Sequence, residues 1–320
     1  MATMQALTFE QYGPPTVLAI KQRPRPEPKE GEVLVEVKAS AVNPSDVKNV
    51  AGLFKASLPR IPGRDYAGVV VGGDGAKGQE VWGSGPGFGV ARDGAHAEYA
   101  VMPADSLSAK PSRLSMAEAA TIGVAYLAAW SGLVDAGALE AGETLLVIGA
   151  GGAVGDAAIQ IGRWKKARII GADVRAASGL DSFINMKEKD LPQEIASLTA
   201  GKGVDLVLDA VGGPMFEPAL KSLRVGGRQV AITSTGDPRV SFNLVEFYHN
   251  RSRLIGVDTM KLTGPEIAGI LDQLRPGFEE GYLKPPQVRT WPLDRAVEAY
   301  QAADKGGSAA KQVIVPARAG

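Results

Sequence analysis

The chain of 320 residues contains no cysteine. That absence removes disulfides, thiolate nucleophiles and the sulfur ligands of a structural zinc lobe in one step. Histidine is nearly as scarce: His96 and His249 stand alone, far apart and without ligand spacing. Neither sign of charge is in excess, with Lys plus Arg and Asp plus Glu at 35 each. No long-range field therefore draws nucleic acid or an anionic membrane, and small molecules or further protein subunits are the expected partners. The longest uncharged run, "AATIGVAYLAAWSGLV" at residues 119–134, is short for a membrane span and reads as a buried helix. The opening residues "MATMQALTFEQYG" lack a basic stretch followed by an apolar one, so no secretory signal is expected and the cytoplasm is the expected compartment. There is no internal repeat and no low-complexity tail.

What the chain does have is length enough for two domains and 40 glycines clustered at turns. Its first third reads as strands broken by turns. Residues 31–42, "GEVLVEVKASAV", alternate apolar and polar as a half-buried strand should, and "YAGVVVGG", "GQEVWGSG" and "GAHAEYAVMP" read as three more. The proline-rich "RPRPEPKEG" before them reads as a rigid surface connection. At Ser115, with Glu118 three residues on, a capping box opens a helix. Thereafter strands alternate with helices, from "TLLVIG" through "GDAAIQIGRWKK", "ARIIGAD", "LPQEIASLTA", "VDLVLDAVG", "PMFEPALKSL" and "GGRQVAIT" to "RLIGVD". This is the pattern of a parallel sheet covered by helices. A helix, a strand, a helix and a last strand, "AAKQVIVP", form the tail.

Residues 144–175, "TLLVIGAGGAVGDAAIQIGRWKKARIIGADVR", carry the strongest motif. A buried strand runs into Gly149, Ala150, Gly151, Gly152, Ala153, Val154 and Gly155, and a helix follows at once. Glycine is costly in regular structure, so a cluster there marks a need for bare backbone. In a βαβ dinucleotide site such glycines permit the tight turn, the approach of the pyrophosphate and close packing of helix on strand, while the helix amides face the phosphates. The next strand ends in Asp173, 18 residues beyond Gly155, where a carboxylate accepts both hydroxyls of an adenosine ribose. A plain strand-to-helix turn is the competing reading. The flanks and the acid favour the dinucleotide.

Taken in order, "QYGPPTVLAIKQRPRPEPKEGEVLVEVKASAVNPSDV", "IPGRDYAGVV", "GAHAEYAVMPADSL", "AATIGVAYLAAW", "GAGGAVGDAAIQIGR", "GVDLVLDAVGG" and "AAKQVIVP" resemble the zinc-free quinone oxidoreductase branch of the medium-chain dehydrogenases and reductases. The resemblance covers nearly the whole chain. It implies an α/β protein with a GroES-like, β-rich substrate domain in residues 1–118, a Rossmann domain with a doubly wound parallel sheet in residues 119–260, and a return to the first domain in residues 261–320. It implies a cleft for catalysis between the two domains and a homodimer, with residues 253–258 as the last, apolar edge strand of the sheet.

Zinc-dependent alcohol dehydrogenases of the superfamily carry Cys where this chain has Asn43, and Gly-His-Glu where it has Gly63, Arg64 and Asp65. No metal site is expected. Without a Lewis acid, a quinone or enone is the favoured acceptor, because its π-system spreads the arriving charge. The resemblance implies hydride transfer from NAD(P)H to such a small molecule, with Asn43, Asp46 and Arg64 as the catalytic candidates. An Asx-turn is the other reading of "NPSD", and a buried ion pair the other reading of Arg64 with Asp65. Lys48 and Phe54 stand where some relatives carry tyrosines, so solvent is a candidate proton source. The resemblance also assigns Thr121, Val211, Ile232 and Lys311 to the cofactor, a packing hydroxyl being the other reading of Thr121. His96 reads as a hydrogen-bonded residue of the surface or cleft edge, His249 as a solvated loop residue, and Met102, Trp82 and Phe88 as packing.

Asp173 welcomes the ribose of NADH and repels the extra phosphate of NADPH, whereas Arg175 would clamp that phosphate. The residues lean slightly to NADH or dual use, and the resemblance to NADPH. Two other activities compete. An enoyl-thioester reductase needs a basic entrance for phosphopantetheine or CoA, and no such cluster stands out. A nucleotide sensor or structural protein would bind the cofactor without turnover.

Overall fold

A computed structural model describes residues 2–316. In chain order its strands and α-helices are β1 (Thr3–Thr8), β2 (Ala19–Pro24), β3 (Glu32–Ala41), α1 (Pro44–Val50), β4 (Asp65–Gly73), β5 (Glu80–Ser84), β6 (Tyr99–Pro103), β7 (Ser108–Ala109), α2 (Met116–Ala119), α3 (Gly123–Trp130), β8 (Thr144–Ile148), α4 (Ala153–Trp164), β9 (Arg168–Asp173), β10 (Ser182–Asn185), α5 (Leu191–Leu198), β11 (Val204–Asp209), α6 (Phe216–Lys221), β12 (Leu223–Ala231), α7 (Leu244–His249), β13 (Arg253–Gly256), α8 (Gly264–Glu280), β14 (Val288–Pro292), α9 (Ala296–Lys305) and β15 (Lys311–Val315). The chain divides into two compact units, Met1–Val124 with Met260–Gly320, and Ala125–Thr259.

The first unit is built on a sheet of order β14-β15-β3-β4-β5-β7, with β6 on β3. Val33, Val35 and Val37 of β3 pack with Tyr66, Val81, Phe88 and Met102, the apolar phase of an alternating strand buried as its period requires. Leu34 and Ser40 on the other phase are buried too, so β3 is a central strand rather than a half-exposed one. The last strand, β15, pairs antiparallel with β3, Val313 opposite Ala41 and Ile314 opposite Ser40. That register sets Lys311 beside the turn leaving β3, where the Val42 N–H donates to the Gln312 carbonyl.

The second unit holds a six-stranded sheet of order β10-β9-β8-β11-β12-β13. Every pairing in it is parallel. Its first strand in sequence, β8, lies in the middle, and the order reverses between β8 and β11. Ligands of open α/β sheets bind outside the carboxyl ends of the strands at such a reversal. Ile148, Ile170, Val207 and Phe216 belong to one core beneath the helices.

Several elements differ from the sequence expectation. The uncharged run at residues 119–134 is not one helix: α2 stops at Ala119, α3 starts at Gly123, and Ser131–Ala136 continue as a π-helical turn. The run is uncharged throughout, so no charged residue marks the break. The Ser115–Glu118 capping box does form, with the Ser115 N–H donating to the Glu118 carboxylate at 2.9 Å. "NPSD" opens helix α1, with Asn43 as its N-cap. "GAHAEYAVMP" becomes strand only from Tyr99, and Arg23 and Pro24 of the proline-rich stretch close β2. The edge strand β13 has only 4 residues, not a long apolar run.

Candidate functional site

Two clusters of the expected residues form, one in each unit. In the parallel-sheet unit, β8 leads into a loop whose Gly149 has φ +83°, in the left-handed region that glycine tolerates. The Gly149 N–H donates to the Ala172 carbonyl at 2.9 Å, tying the loop to the end of β9. Gly152 is the N-cap of α4 and has no side-chain cap bond, so the first-turn amides have no side-chain partner. Ala153 is exposed and Val154 half-buried at that end. The glycines differ in what they permit. A Cβ on Gly155 would lie 2.2 Å from the Gly149 carbonyl oxygen, so this glycine lets the helix sit on the loop. A Cβ on Gly152 would meet only the Gly149 carbonyl oxygen, at 3.3 Å, a tight contact that a shift of a few tenths of an ångström relieves, so packing demands the bare backbone far less there. A dodecamer helix with an uncapped, glycine-lined N-terminus fits a pyrophosphate.

Asp173 closes this cluster. One carboxylate oxygen accepts the Gly151 N–H at 2.9 Å and the other the Arg175 N–H at 2.9 Å. It thus meets Arg175 through the backbone, while the Arg175 residue is exposed. Val211 flanks the loop, its Cγ2 being 3.2 Å from where a Gly149 Cβ would lie. Ile232 follows the end of β12, its N–H directed to the Asp209 carbonyl. Asp209 itself was not anticipated. Fully buried at the end of β11, it accepts the N–H groups of Val211 and Gly212, and burial holds its carboxyl above the ordinary range. An Asp closing a buried strand just before Gly212 and Gly213 was the available signal.

In the first unit Asn43 is the N-cap of α1 and shares a capping box with Asp46. Its Nδ2 donates to Asp65 at 2.9 Å, and its Oδ1 accepts the Lys311 ammonium at 2.5 Å. Asp46 accepts the Asn43 N–H at 2.8 Å. Asp65 also faces the Val124 N–H, 3.0 Å from each carboxylate oxygen. Burial pushes both carboxyls up; Lys311 opposes the shift at each, and Arg64 adds to the opposition at Asp46. The expected Arg64–Asp65 ion pair does not form: the partners of Asp65 are Asn43, a backbone amide and the charge of Lys311. Lys311, assigned to the cofactor by sequence, lies in this cluster, and desolvation lowers its pKa against the pull of Asp65 and Asp46.

Thr121 sits in the break between α2 and α3, its hydroxyl committed to the Glu118 carbonyl at 2.6 Å. His96 is no surface or cleft-edge residue. It is fully buried behind Gly63, with Nδ1 2.9 Å from the Tyr300 hydroxyl and Nε2 3.3 Å from the Ala41 carbonyl. Desolvation pulls its pKa down to about 3, so the ring is neutral and fastens the end of β3. His249 ends α7 and tilts against Tyr248 rather than lying in a loop. It lines a recess of about 410 Å³ with Phe242 and Phe247, which shares no lining residue with the phosphate loop. Trp82, Phe88 and Met102 are core residues, Trp82 edge-on to Phe278. Lys48 is exposed on α1 and Phe54 half-buried after it.

Comparison with known proteins adds the lineage. Residues 29–112 match the family described as alcohol dehydrogenase GroES-like domain, and residues 153–274 the family described as zinc-binding dehydrogenase. A zinc-type alcohol dehydrogenase-like protein of Schizosaccharomyces pombe is 33% identical over 88% of this chain and 87% of its own. Human quinone oxidoreductase is 30% identical over 98% and 97%, and tomato 2-methylene-furan-3-one reductase 31% identical over 98% and 79%. Among solved structures, an alcohol dehydrogenase superfamily protein from Novosphingobium aromaticivorans superposes with a TM-score of 0.89 at 29% identity, covering 98% of this chain and all of that one. The residues here do not fit the metal in one family's description. Asn43 and Arg64, which the resemblance sets at ligand positions, are an amide and a guanidinium, and an ammonium is bonded to Asn43. No group of three or more His, Cys, Asp or Glu suited to a metal occurs among the described residues.

Proposed function

The chain belongs to the medium-chain dehydrogenase/reductase superfamily, in its quinone oxidoreductase branch, and we propose that this oxidoreductase reduces quinones or α,β-unsaturated carbonyls without a metal. The observation that carries the proposal is the Asn43–Asp65–Lys311 cluster, in which an ammonium is bonded to the side chain that the resemblance sets at a zinc-ligand position. A saturated ketone needs a strong carbonyl polariser, and a cluster whose amide and carboxylate already face an ammonium repels a metal ion. Conjugated acceptors disperse the arriving charge themselves. A nicotinamide, when bound, supplies the hydride. The chain's own part is to hold the pyrophosphate on the first turn of α4 and the ribose beside Asp173. Purified protein with NADH or NADPH is expected to turn over simple quinones or 2-alkenals and to leave the matching saturated aldehydes untouched. Turnover of neither conjugated class defeats the proposal.

Metal independence follows directly. Dialysis against a strong chelator is expected to leave both kcat and melting temperature unchanged. Stoichiometric zinc lost together with activity contradicts it.

The preference between cofactors turns on Asp173 and Arg175. The carboxylate is fixed by the Gly151 and Arg175 amides, so it cannot swing away from a 2′-phosphate. We therefore keep NADH or dual use as the reading. Asp173→Ser is expected to raise the NADPH-to-NADH ratio of kcat/KM by about tenfold, the equivalent of removing one close like-charge contact of about 1.4 kcal/mol. Arg175→Ala is expected to lower whatever NADPH activity exists. Ratios unchanged in both variants show that neither residue reads the 2′ position.

A homodimer through β13 completes the proposal. The strand has only β12 beside it, Leu254 is 42% exposed, and Leu244 and Tyr248 of α7 are exposed as well. Light scattering at micromolar concentration is expected to return twice the chain mass. A monomer mass counts against the edge as an interface.

A further inference from the structure

We propose that the Lys311 ammonium takes the place of the metal, as the electrophile that binds the acceptor's carbonyl oxygen and gives it a proton. The inference rests on the quinone or enone reading above and deepens it. Three observations converge. First, Lys311 Nζ is bonded to Asn43 Oδ1 at 2.5 Å, and its charge faces Asp65 and Asp46. By the resemblance, Asn43 and Arg64 stand at the ligand positions of zinc-dependent relatives, and Lys311 brings a side-chain cation against the first of them. Register puts it there: β15 runs antiparallel to β3, so a residue 268 positions from Asn43 becomes its neighbour.

Second, the ammonium has donors left over. Of its three N–H groups one is committed to Asn43, and Asp65 and Asp46 act on it through charge alone. Asp65 and Asp46 hold the charge electrostatically, while Asp65 gives its oxygens to Asn43 and the Val124 amide and Asp46 accepts the Asn43 amide. Third, the residues of the cluster differ in exposure. Asn43, Asp46 and Asp65 are each at most 2% exposed, whereas Lys311 is half-buried. Arg64, at 9%, is the other cation nearby, and its charge bears on Asp46.

The chemistry balances. When the conjugated acceptor receives a hydride at carbon, its electron pair moves to the carbonyl oxygen. That oxygen takes a proton from the ammonium, leaving a neutral amine and an enol, which for a quinone is the keto tautomer that passes to the hydroquinone by moving one proton from ring carbon to the second oxygen, and solvent restores the ammonium. Desolvation weakens the hold of this amine on its proton, which helps the transfer. No tyrosine is needed at Lys48 or Phe54.

The test uses the full-length protein and para-nitrophenol, whose anion resembles the developing oxyanion and absorbs differently from the neutral phenol. Wild type is expected to bind it as the phenolate, Lys311→Arg to keep that binding, and Lys311→Met to lose it at least tenfold. With a quinone or 2-alkenal that wild type turns over, K311M is expected to lose at least a hundredfold in kcat, with the Kd for NADH or NADPH unchanged. Ethylamine is expected to restore part of the activity of Lys311→Ala. A raised cofactor Kd at unchanged kcat makes Lys311 a cofactor contact and overturns the inference. Binding of the neutral phenol by wild type overturns it as well, whether or not the variants fold. Failure of wild type to reduce any acceptor defeats the function proposed above, and phenolate binding still reports on Lys311.

Discussion

Replacing Gly152 by Val is expected to weaken NADH and NADPH binding at least about a hundredfold, about 2.8 kcal/mol, while leaving the fold in place. The N-cap backbone at φ −95° and ψ 170° is extended, which a β-branched residue adopts readily. A Cβ there meets nothing of the protein nearer than 3.3 Å. The added methyls would instead stand at the uncapped first turn of α4, where a pyrophosphate must approach the amides. Equilibrium binding, followed through quenching of the four tryptophans, checks the affinity, and thermal melting checks the fold. A folded variant with wild-type affinity means that this loop does not cradle the phosphates.

Gly155→Ala is expected to do the reverse at the outset, costing about 3 kcal/mol of stability. The new methyl carbon would lie 2.2 Å from the Gly149 carbonyl oxygen and 2.8 Å from the Ala150 Cα, both backbone atoms that no rotamer change removes. Helix α4 must then lift off the loop, so cofactor binding falls because the site is distorted. Denaturant unfolding of the two variants side by side separates the roles: G152V is expected to keep the wild-type midpoint and G155A to lose it. Equal stability in both shows that the loop relaxes more easily than its contacts imply.

The parts of this architecture that the sequence made legible are those written in local chemistry. The parallel sheet shows as apolar strands alternating with amphipathic helices, and the Ser115–Glu118 cap as a spacing of three. The glycine loop and Asp173 form one motif, and the structure joins them through the Gly151 amide. Elements that are short or defined by partners were not legible. β10 has 4 residues and borrows its order from β9, and the break between α2 and α3 leaves no mark in an uncharged run. His96 looked peripheral because a lone histidine carries no sign of its burial, which Gly63 and Tyr300 supply from distant segments. The pairing of Asp65 was misread as a neighbour contact with Arg64. Its true surroundings, Asn43 and Lys311, are brought by tertiary structure from 22 residues away in one case and by the return of the last strand in the other.

The most direct measurement follows a label. Chelator-treated protein is supplied with NADH or NADPH carrying deuterium at the transferable position of the nicotinamide, together with a 2-alkenal and, separately, a quinone. The account predicts oxidation of the cofactor with a primary isotope effect, and deuterium at the β-carbon of any alkenal that is reduced. Cofactor that binds and quenches the tryptophans yet is oxidised by neither acceptor, or activity that returns only when zinc is added back, would contradict it.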